Sequence, residues 1–192
     1  MREFDPQLWR DRAWKRFGRA VAAGSSKRVV EPQWATDVVA IGILEQLVGW
    51  CKGKGLKVVF GQKRNGLYDP ESKTITVAIG AAPAKQVVYL LHECGHFLIG
   101  MKEHHERFGM GYPQTDAEVV KTFLHRVACL EEELEAWHRG WKLAGRLGIV
   151  INRAHFDSIK LECIRSYMKW ALRRGKVELQ DEDDEEKGVR SV

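Results

Sequence analysis

The sequence predicts an α+β fold that is mainly helical, with a small antiparallel sheet in front of a central helix. Two observations lead to this prediction. Apolar residues recur at helical spacing through most of the chain, and between two of the helical stretches they change to short β-branched runs separated by turn signals. At 192 residues, of which 44% are apolar and 30% charged, the chain is long enough for one domain with a core. We therefore expect a single domain over residues 1–176.

Two N-terminal helices are predicted within residues 1–55. The first covers about residues 5–23, where apolar and basic side chains share an amphipathic helix that ends before Gly24. The second starts near Pro32, because proline suits the first turn of a helix, and it ends near Gly53. Both helices precede the predicted core of the domain.

A small sheet is predicted at the start of that core, which we place at residues 56–148. Strand signals occur at residues 57–60 and 73–79, which are apolar or β-branched. The dipeptides Asn65-Gly66 and Asp69-Pro70 mark turns between them. We therefore expect an antiparallel meander of two or three strands.

Helices are predicted for the rest of the chain. The helical spacing returns after Pro83, is interrupted at residues 101–114, which we predict to be a loop, and resumes in a long helix that ends near Gly148. A C-terminal helix is predicted over residues 153–175. Residues 177–192 contain an acidic run without an apolar anchor and are predicted to be a disordered tail.

The charge and cysteine patterns predict a cytoplasmic protein. The net charge of +5 combines a basic body with the six acids at residues 181–186. The N-terminus lacks the apolar stretch of a secretory signal, and no apolar run approaches the roughly 20 residues that span a bilayer, so we expect no membrane partner. The four cysteines are widely spaced and form no Cys-x-x-Cys pair, which is typical of reduced core thiols.

One motif carries chemistry. Residues 92–96 read His-Glu-Cys-Gly-His, the pattern HExxH, which arises by chance in roughly two of a hundred sequences of this composition. Because positions i and i+4 share one face of a helix, His92 and His96 can reach the same metal ion. Glu93 then lies beside the ion and can take a proton from a water molecule whose pKa the metal lowers.

A catalytic zinc site needs a third protein ligand, and the sequence offers more than one. On the long helix, an apolar stripe is predicted to face the core: Val127, Leu130, Leu134, Trp137, Trp141, Ala144 and Gly148. Glu133 lies about 65° and Glu131 about 95° from the centre of this stripe, whereas Glu132 and Glu135 lie about 140–160° away, on the solvent side. A carboxylate that faces a core needs a cation. We therefore predict Glu133 as the third ligand, with Glu131 and His104 as alternatives.

These residues resemble the gluzincin branch of zinc metallopeptidases, and within it the small ImmA/IrrE-type proteins and related phage-borne HExxH proteins. In these proteins the motif reads HExGH, which Gly95 matches, and the third ligand opens a Glu-x-x-Ala element on a later helix, which Glu133 and Ala136 match. The resemblance covers about residues 56–148. It implies a zincin-like domain that binds Zn²⁺ through His92, His96 and Glu133.

The resemblance further implies hydrolysis of peptide bonds in a protein or peptide substrate, with Glu93 acting first as general base and then as general acid. We expect the strand at residues 73–79 to offer an edge that aligns an extended substrate. A second group that stabilises the oxyanion is common in this chemistry. The sequence does not choose among its candidates, which are Tyr112, His125, Tyr167 and His155.

Two other functions remain open at this point. Basic residues of the first and last helices could bind nucleic acid through its phosphates: Arg10, Arg12, Lys15, Arg16, Arg19, Arg165, Lys169, Arg173 and Arg174. A DNA-linked protease similar to the SprT type would combine both activities, and its histidine third ligand would favour His104. Alternatively, the chain could be a zinc-binding domain that recognises a partner without turnover, although the presence of Glu93 argues against this.

Overall fold

The computed structural model describes residues 2–3, 33–61, 66–108 and 122–186. Its helices and strands in chain order are β1 (Arg2–Glu3), α1 (Gln33–Gly53), β2 (Lys57–Gly61), β3 (Leu67–Asp69), β4 (Thr74–Ala78), α2 (Pro83–Ile99), α3 (Met101–Phe108), α4 (Phe123–Arg146) and α5 (Arg153–Glu186). The predicted α+β class, mainly helical with a small sheet in front of the HExxH helix, is confirmed. The first predicted helix, over residues 5–23, lies outside the described residues.

The sheet is mixed rather than antiparallel, with the strand order β1-β2-β4-β3. Strands β3 and β4 form an antiparallel hairpin, in which Tyr68 lies opposite Ile75, and Asp69 closes its turn by accepting a hydrogen bond from the backbone N–H of Glu71. Strand β2 pairs with the other side of β4 and runs parallel to it. The predicted meander is therefore wrong for this pair, because turn signals locate the hairpin but do not determine on which side of it β2 lies.

This strand order also corrects the predicted substrate edge. Strand β4 has neighbours on both sides, so the strand predicted at residues 73–79 has no free edge. Strand β3 lies at the end of the sheet instead. Any main-chain pairing with an extended segment on this side must therefore use β3.

Helix α2 runs through the centre of the molecule and is buried continuously from Gln86 to Gly95. It is covered on several sides because α1, β4 and α4 all pack against it. A helix enclosed in this way shows apolar residues on most of its faces. The largest apolar side chains of the core around it are Ile41, Leu44, Leu47, Phe60, Ile75, Leu90, Leu91, Trp137, Leu143 and Phe156.

The backbones of α2 and α4 touch where two glycines lie. A Cβ atom at Gly95 would collide with the carbonyl oxygen of Ala136, and a Cβ atom at Gly140 would collide with the carbonyl oxygen of Leu91. Glycine is needed at both positions because only a residue without Cβ allows backbones this close. The close approach brings the HExxH face of α2 next to the acidic cluster of α4.

A helix occupies part of the segment predicted as a loop at residues 101–114. Helix α3 covers Met101–Phe108, so the prediction is wrong there, and the remainder of the segment lies outside the described residues. Arg139 of α4 holds this region in place, since its Nη1 donates to the carbonyl oxygen of Leu98 at 2.6 Å and its guanidinium pairs with Glu103. Such tertiary contacts override weak local helix propensity.

The C-terminal helix is longer than predicted. Helix α5 continues to Glu186, beyond the predicted end at residue 175, and the disorder of residues 177–192 stays a prediction. Once a helix is nucleated, each further residue adds a hydrogen bond at little cost, and Glu, Leu and Gln propagate helices well.

None of the described helices, α5 included, combines the length and the apolar character that crossing a membrane requires.

Candidate metal centre

Three side chains from two helices meet at one point. His92 and His96 project from the same face of α2, with their Nε2 atoms 3.3 Å apart. Glu133 of α4 faces both rings, because its Oε2 lies 3.2 Å from Nε2 of His92 and its Oε1 lies 3.4 Å from Nε2 of His96. One nitrogen or oxygen atom of each residue lies within 4.8 Å of those of the other two, so the group could hold a metal ion.

The donor set suits a metal ion. Two neutral imidazole nitrogens and one carboxylate oxygen are ordinary ligands of transition metals. All three side chains are mostly buried, with side-chain exposures of 10% for His92, 15% for His96 and 8% for Glu133. Buried charge of this kind is stable only when it is paired or coordinates a cation.

The alternative third ligands do not join this group. Glu131 is exposed and lines a separate surface pocket with Arg107 and Leu134. His104 is not part of the group, and its Nε2 atom lies 3.9 Å from Glu132 Oε2. Of the three residues considered from the sequence, only Glu133 is placed with the two histidines.

Glu132 is placed differently from the prediction. The sequence assigned it to the solvent side of α4, yet it is only 6% exposed and its Oε1 lies 3.2 Å from Nδ1 of His96. The error has a physical cause, since the predicted stripe was centred on large apolar residues such as Leu134, which is 40% exposed. The face that meets α2 is centred on Ala136 and Gly140 instead. A row of small residues at a spacing of four from Glu132 is the signal that could have revealed it.

The ring of His92 is held by stacking. It lies 4.1 Å from the ring of Trp137, with an angle of 18° between the two planes. Trp137 is fully buried and in turn packs edge-on against Phe156 of α5. The sequence assigned Trp137 only to the core, and its contact with His92 was not predicted.

Glu93 lies between the two histidines in the sequence of α2, is not part of the group of three and is nearly fully buried. Its carboxylate lies against Gly66, the residue before β3, where a Cβ atom would come within 2.5 Å of Glu93 Oε1. Burial raises the pKa of Glu93, although the charges of His92 and His96 and a backbone hydrogen bond from Tyr68 oppose this. A carboxylate with a raised pKa is a better proton acceptor than one at its ordinary value.

Without a metal ion, the histidines and carboxylates of the site offset the cost of each other's burial. Burial by itself would lower the pKa of His96, but hydrogen bonds with Glu132 and Glu133 outweigh it and raise the pKa to about 10. Burial by itself would raise the pKa of Glu133, but hydrogen bonds with His92 and His96 hold it well below the usual range. In the metal-free protein His96 therefore keeps its proton at neutral pH and pairs with Glu132 and Glu133.

A cavity of about 1000 Å³ opens onto these side chains. Its walls come from β3, α2, α3, α4 and α5, and residues from all five elements line it, among them Leu67, Tyr68, Tyr89, Met101, His104, Cys129 and Trp170. The cavity is large enough for several residues of an extended chain. His92, His96 and Glu133 are among the residues that line it.

The candidates for the oxyanion-stabilising residue differ in where they lie relative to the three converging side chains. Tyr167 donates a hydrogen bond from its hydroxyl to Oε1 of Glu133 at 2.7 Å. His125 lines the same cavity, His155 is exposed, and Tyr112 lies outside the described residues. Among the described candidates, Tyr167 has a direct contact with the converging group.

The fold and the site define a class of structure rather than a known family. Two histidines of one central helix and a carboxylate of a second helix converge under an open cavity, beside a small mixed sheet. No protein-family model matches the chain, and neither a curated protein nor a solved structure is significantly similar to it. Any functional interpretation therefore depends on the residues and geometry of this site.

Proposed function

We propose that the protein is a zinc-dependent metallopeptidase of the gluzincin type, which hydrolyses peptide bonds in a protein substrate. The observation that carries this proposal is the convergence of Glu133 with both histidines of the HExxH motif. An accidental HExxH would not be expected to have a buried carboxylate from a different helix at the distance of a third ligand.

Zinc is the metal that this donor set favours. His92, His96 and Glu133 would supply three ligands, the number that catalytic zinc sites take from the protein. When bound, zinc polarises the scissile carbonyl and lowers the pKa of the attacking water. The remaining steps of the mechanism belong to side chains of the chain itself.

Glu93 is the proposed general base. Its burial and raised pKa suit a group that accepts a proton from the attacking water and then returns it to the leaving amine. Glu93 follows the first histidine directly on α2, so its carboxylate stands beside the three converging groups rather than among them. It can therefore exchange protons there without acting as a ligand.

The edge of the sheet supports a peptide as substrate. Strand β3 lies at the end of the sheet and lines the cavity through Leu67 and Tyr68, and the backbone of Tyr68 reaches Glu93. An extended segment laid along β3 would therefore pass the proposed base. Tyr167 is the proposed second electrophile, because its hydroxyl already lies at the group and could turn from Glu133 to an oxyanion.

A SprT-like site is less well supported than a gluzincin-like one, because Glu133 rather than His104 accompanies the two histidines.

We also propose that the protein resides in a reducing compartment such as the cytoplasm. All four cysteines are free, and the Sγ atoms of Cys51 and Cys94 lie 3.5 Å apart without a disulfide. Reduced thiols this close together are typical of intracellular proteins.

The proposal is tested by Glu93→Gln, with Glu71→Gln as a matched control. Glu71 is an exposed carboxylate in the wall of the same cavity. Each purified variant is incubated with a complete cell proteome, newly formed N-termini are mapped, and bound zinc is measured. We expect Glu93→Gln to retain zinc and to lose about 10²–10⁴-fold in cleavage rate, while Glu71→Gln behaves like wild type. Equal cleavage by wild type and Glu93→Gln would contradict the proposal.

A further inference from the structure

Glu132 is a buried carboxylate for which the proposed chemistry has no use. It directly precedes the proposed ligand Glu133, yet its side chain is only 8% exposed and turns toward α2 and α3. Burying a carboxylate is costly unless it is hydrogen-bonded or paired. A function for it must therefore lie in the contacts of its two oxygen atoms.

The first oxygen, Oε1, lies 3.2 Å from Nδ1 of His96. The other nitrogen of that ring, Nε2, faces His92 and Glu133. A carboxylate without a proton can only accept a hydrogen bond, so this contact requires the hydrogen of the ring on Nδ1. The lone pair of a neutral His96 is then on Nε2, the atom that points to the converging group.

The second oxygen, Oε2, lies 3.9 Å from Nε2 of His104 on α3. Helix α3 is itself fixed to α4, because Arg139 binds both Glu103 and the carbonyl oxygen of Leu98. The separation of Oε2 from His104 exceeds a hydrogen bond, and among the described residues Oε2 has no hydrogen-bond partner. The contact of Oε1 with His96 is therefore the contact through which the Glu132 carboxylate can act.

The two proposed histidine ligands differ in how their rings are held. His92 stacks on Trp137, and among the described residues its Nδ1 has no hydrogen-bond partner. His96 has no such stacking contact with tryptophan among the described rings, but it has the carboxylate of Glu132. Loss of Glu132 should accordingly affect His96 and leave the orientation of His92 unchanged.

We propose that Glu132 is the positioning residue of the metal centre: through the contact of its Oε1 with Nδ1, it fixes the tautomer and the ring orientation of His96. This inference rests on the metal centre of the proposed function, although it does not require that the protein is catalytically active. Carboxylates that hold a ligating histidine through its second nitrogen typically raise metal affinity by about 10–100-fold. Glu132 is therefore a determinant of zinc affinity that makes no direct contact with the ion.

The test compares Glu132→Ala and Glu132→Gln with Glu131→Ala. Glu131 is the adjacent carboxylate of the same helix and is exposed, so it controls for the loss of charge and the change of helix propensity. The zinc dissociation constant is measured by competition with a chromogenic chelator. We expect Glu132→Ala to bind zinc about 10–100-fold more weakly, Glu132→Gln to show a smaller loss because its amide oxygen still accepts, and Glu131→Ala to match wild type.

A second readout separates positioning from a general loss of structure. Long-range ¹H–¹⁵N spectra of the zinc-loaded protein report which imidazole nitrogen carries the hydrogen. In Glu132→Ala the Nδ1–H signal of His96 should move toward that of a solvent-exposed imidazole, while the signals of His92 stay in place. Equal changes at both rings, or a damaged fold in Glu132→Gln, would assign Glu132 a structural role and overturn the inference.

The outcomes for this inference and for the proposed function can be told apart. If wild type binds zinc but Glu93→Gln cleaves as well as wild type, the peptidase proposal fails, and the affinities still decide the role of Glu132. If Glu132→Ala binds zinc as tightly as wild type, the inference fails while the peptidase proposal stands. If wild type binds no zinc, both are wrong.

Discussion

Replacing Gly95 by alanine should destabilise the protein and weaken its metal site at the same time. In an isolated helix, alanine is more favourable than glycine by about 1 kcal/mol, so helix propensity alone predicts a gain. In the folded protein, however, the new Cβ atom would collide with the carbonyl oxygen of Ala136. That obstacle is backbone and cannot change rotamer, so α2 and α4 must move apart.

The expected cost follows from this contact. Overpacking a close interface typically costs about 1–3 kcal/mol, and rigid backbone on both sides places Gly95→Ala toward the upper end of that range, at a net loss of about 2 kcal/mol after the gain in propensity. Glu133 lies one helical turn from Ala136, so separation of the helices also moves its carboxylate away from His92 and His96. We expect zinc affinity to fall by at least about tenfold.

The matched control is Gly49→Ala. Gly49 lies within α1, and a Cβ atom there would meet nothing within 4 Å, so this substitution should stabilise the protein by up to about 1 kcal/mol. Urea denaturation of the metal-free proteins gives the two free energies of unfolding, and chelator competition gives the zinc affinities. The reasoning is refuted if Gly95→Ala is as stable as wild type and binds zinc equally well.

Two further predictions concern the packing of α3 and the protons of the site. Arg139→Gln removes contacts with Leu98 and Glu103, and it should lower the midpoint of thermal unfolding by about 2–4 °C. Lys142 is exposed on the same helix, so the control Lys142→Gln should leave the midpoint unchanged. Because the hydrogen bond from Arg139 lowers the pKa of Glu103 below 4.5, its stabilisation is present above pH 4.5 and is lost as the pH falls through the lower value of the folded state. The midpoint difference should therefore shrink toward pH 2, where only the hydrogen bond to the carbonyl oxygen of Leu98 remains, and an undiminished difference there would contradict this. Zinc binding at pH 7 should release close to one proton, because the pKa of metal-free His96 is about 10 and a histidine ligand must be neutral. Calorimetric titrations in two buffers of different ionisation enthalpy measure the number of protons released. A measured release of no protons would contradict this prediction.

The parts of the structure that could be predicted are those encoded by local spacing. The i and i+4 positions of His92 and His96 place both rings on one face of any helix that contains them. The β-hairpin followed from the turn at Asp69-Pro70. The position of Glu133 beside the two histidines could be predicted, because Glu133 lies near the apolar stripe of α4 even when the centre of that stripe is misplaced.

The parts that could not be predicted depend on contacts between distant elements. Glu132 was assigned to solvent because large apolar residues were given more weight than Ala136 and Gly140, whose small size determines how α4 meets α2. Helix α3 depends on Arg139, which lies far along the chain. The parallel pairing of β2 with β4 depends on which side of the hairpin β2 takes. In each case several local patterns are compatible with the sequence, and tertiary packing selects one.

The central claim is that His92, His96 and Glu133 together hold a zinc ion, and the zinc content of purified variants tests it most directly. Wild type, Glu131→Ala and His104→Ala should each contain close to one zinc ion per chain. Glu133→Ala should lose it, while circular dichroism shows that the helices persist. Full zinc occupancy in Glu133→Ala, or its loss in His104→Ala alone, would contradict the account.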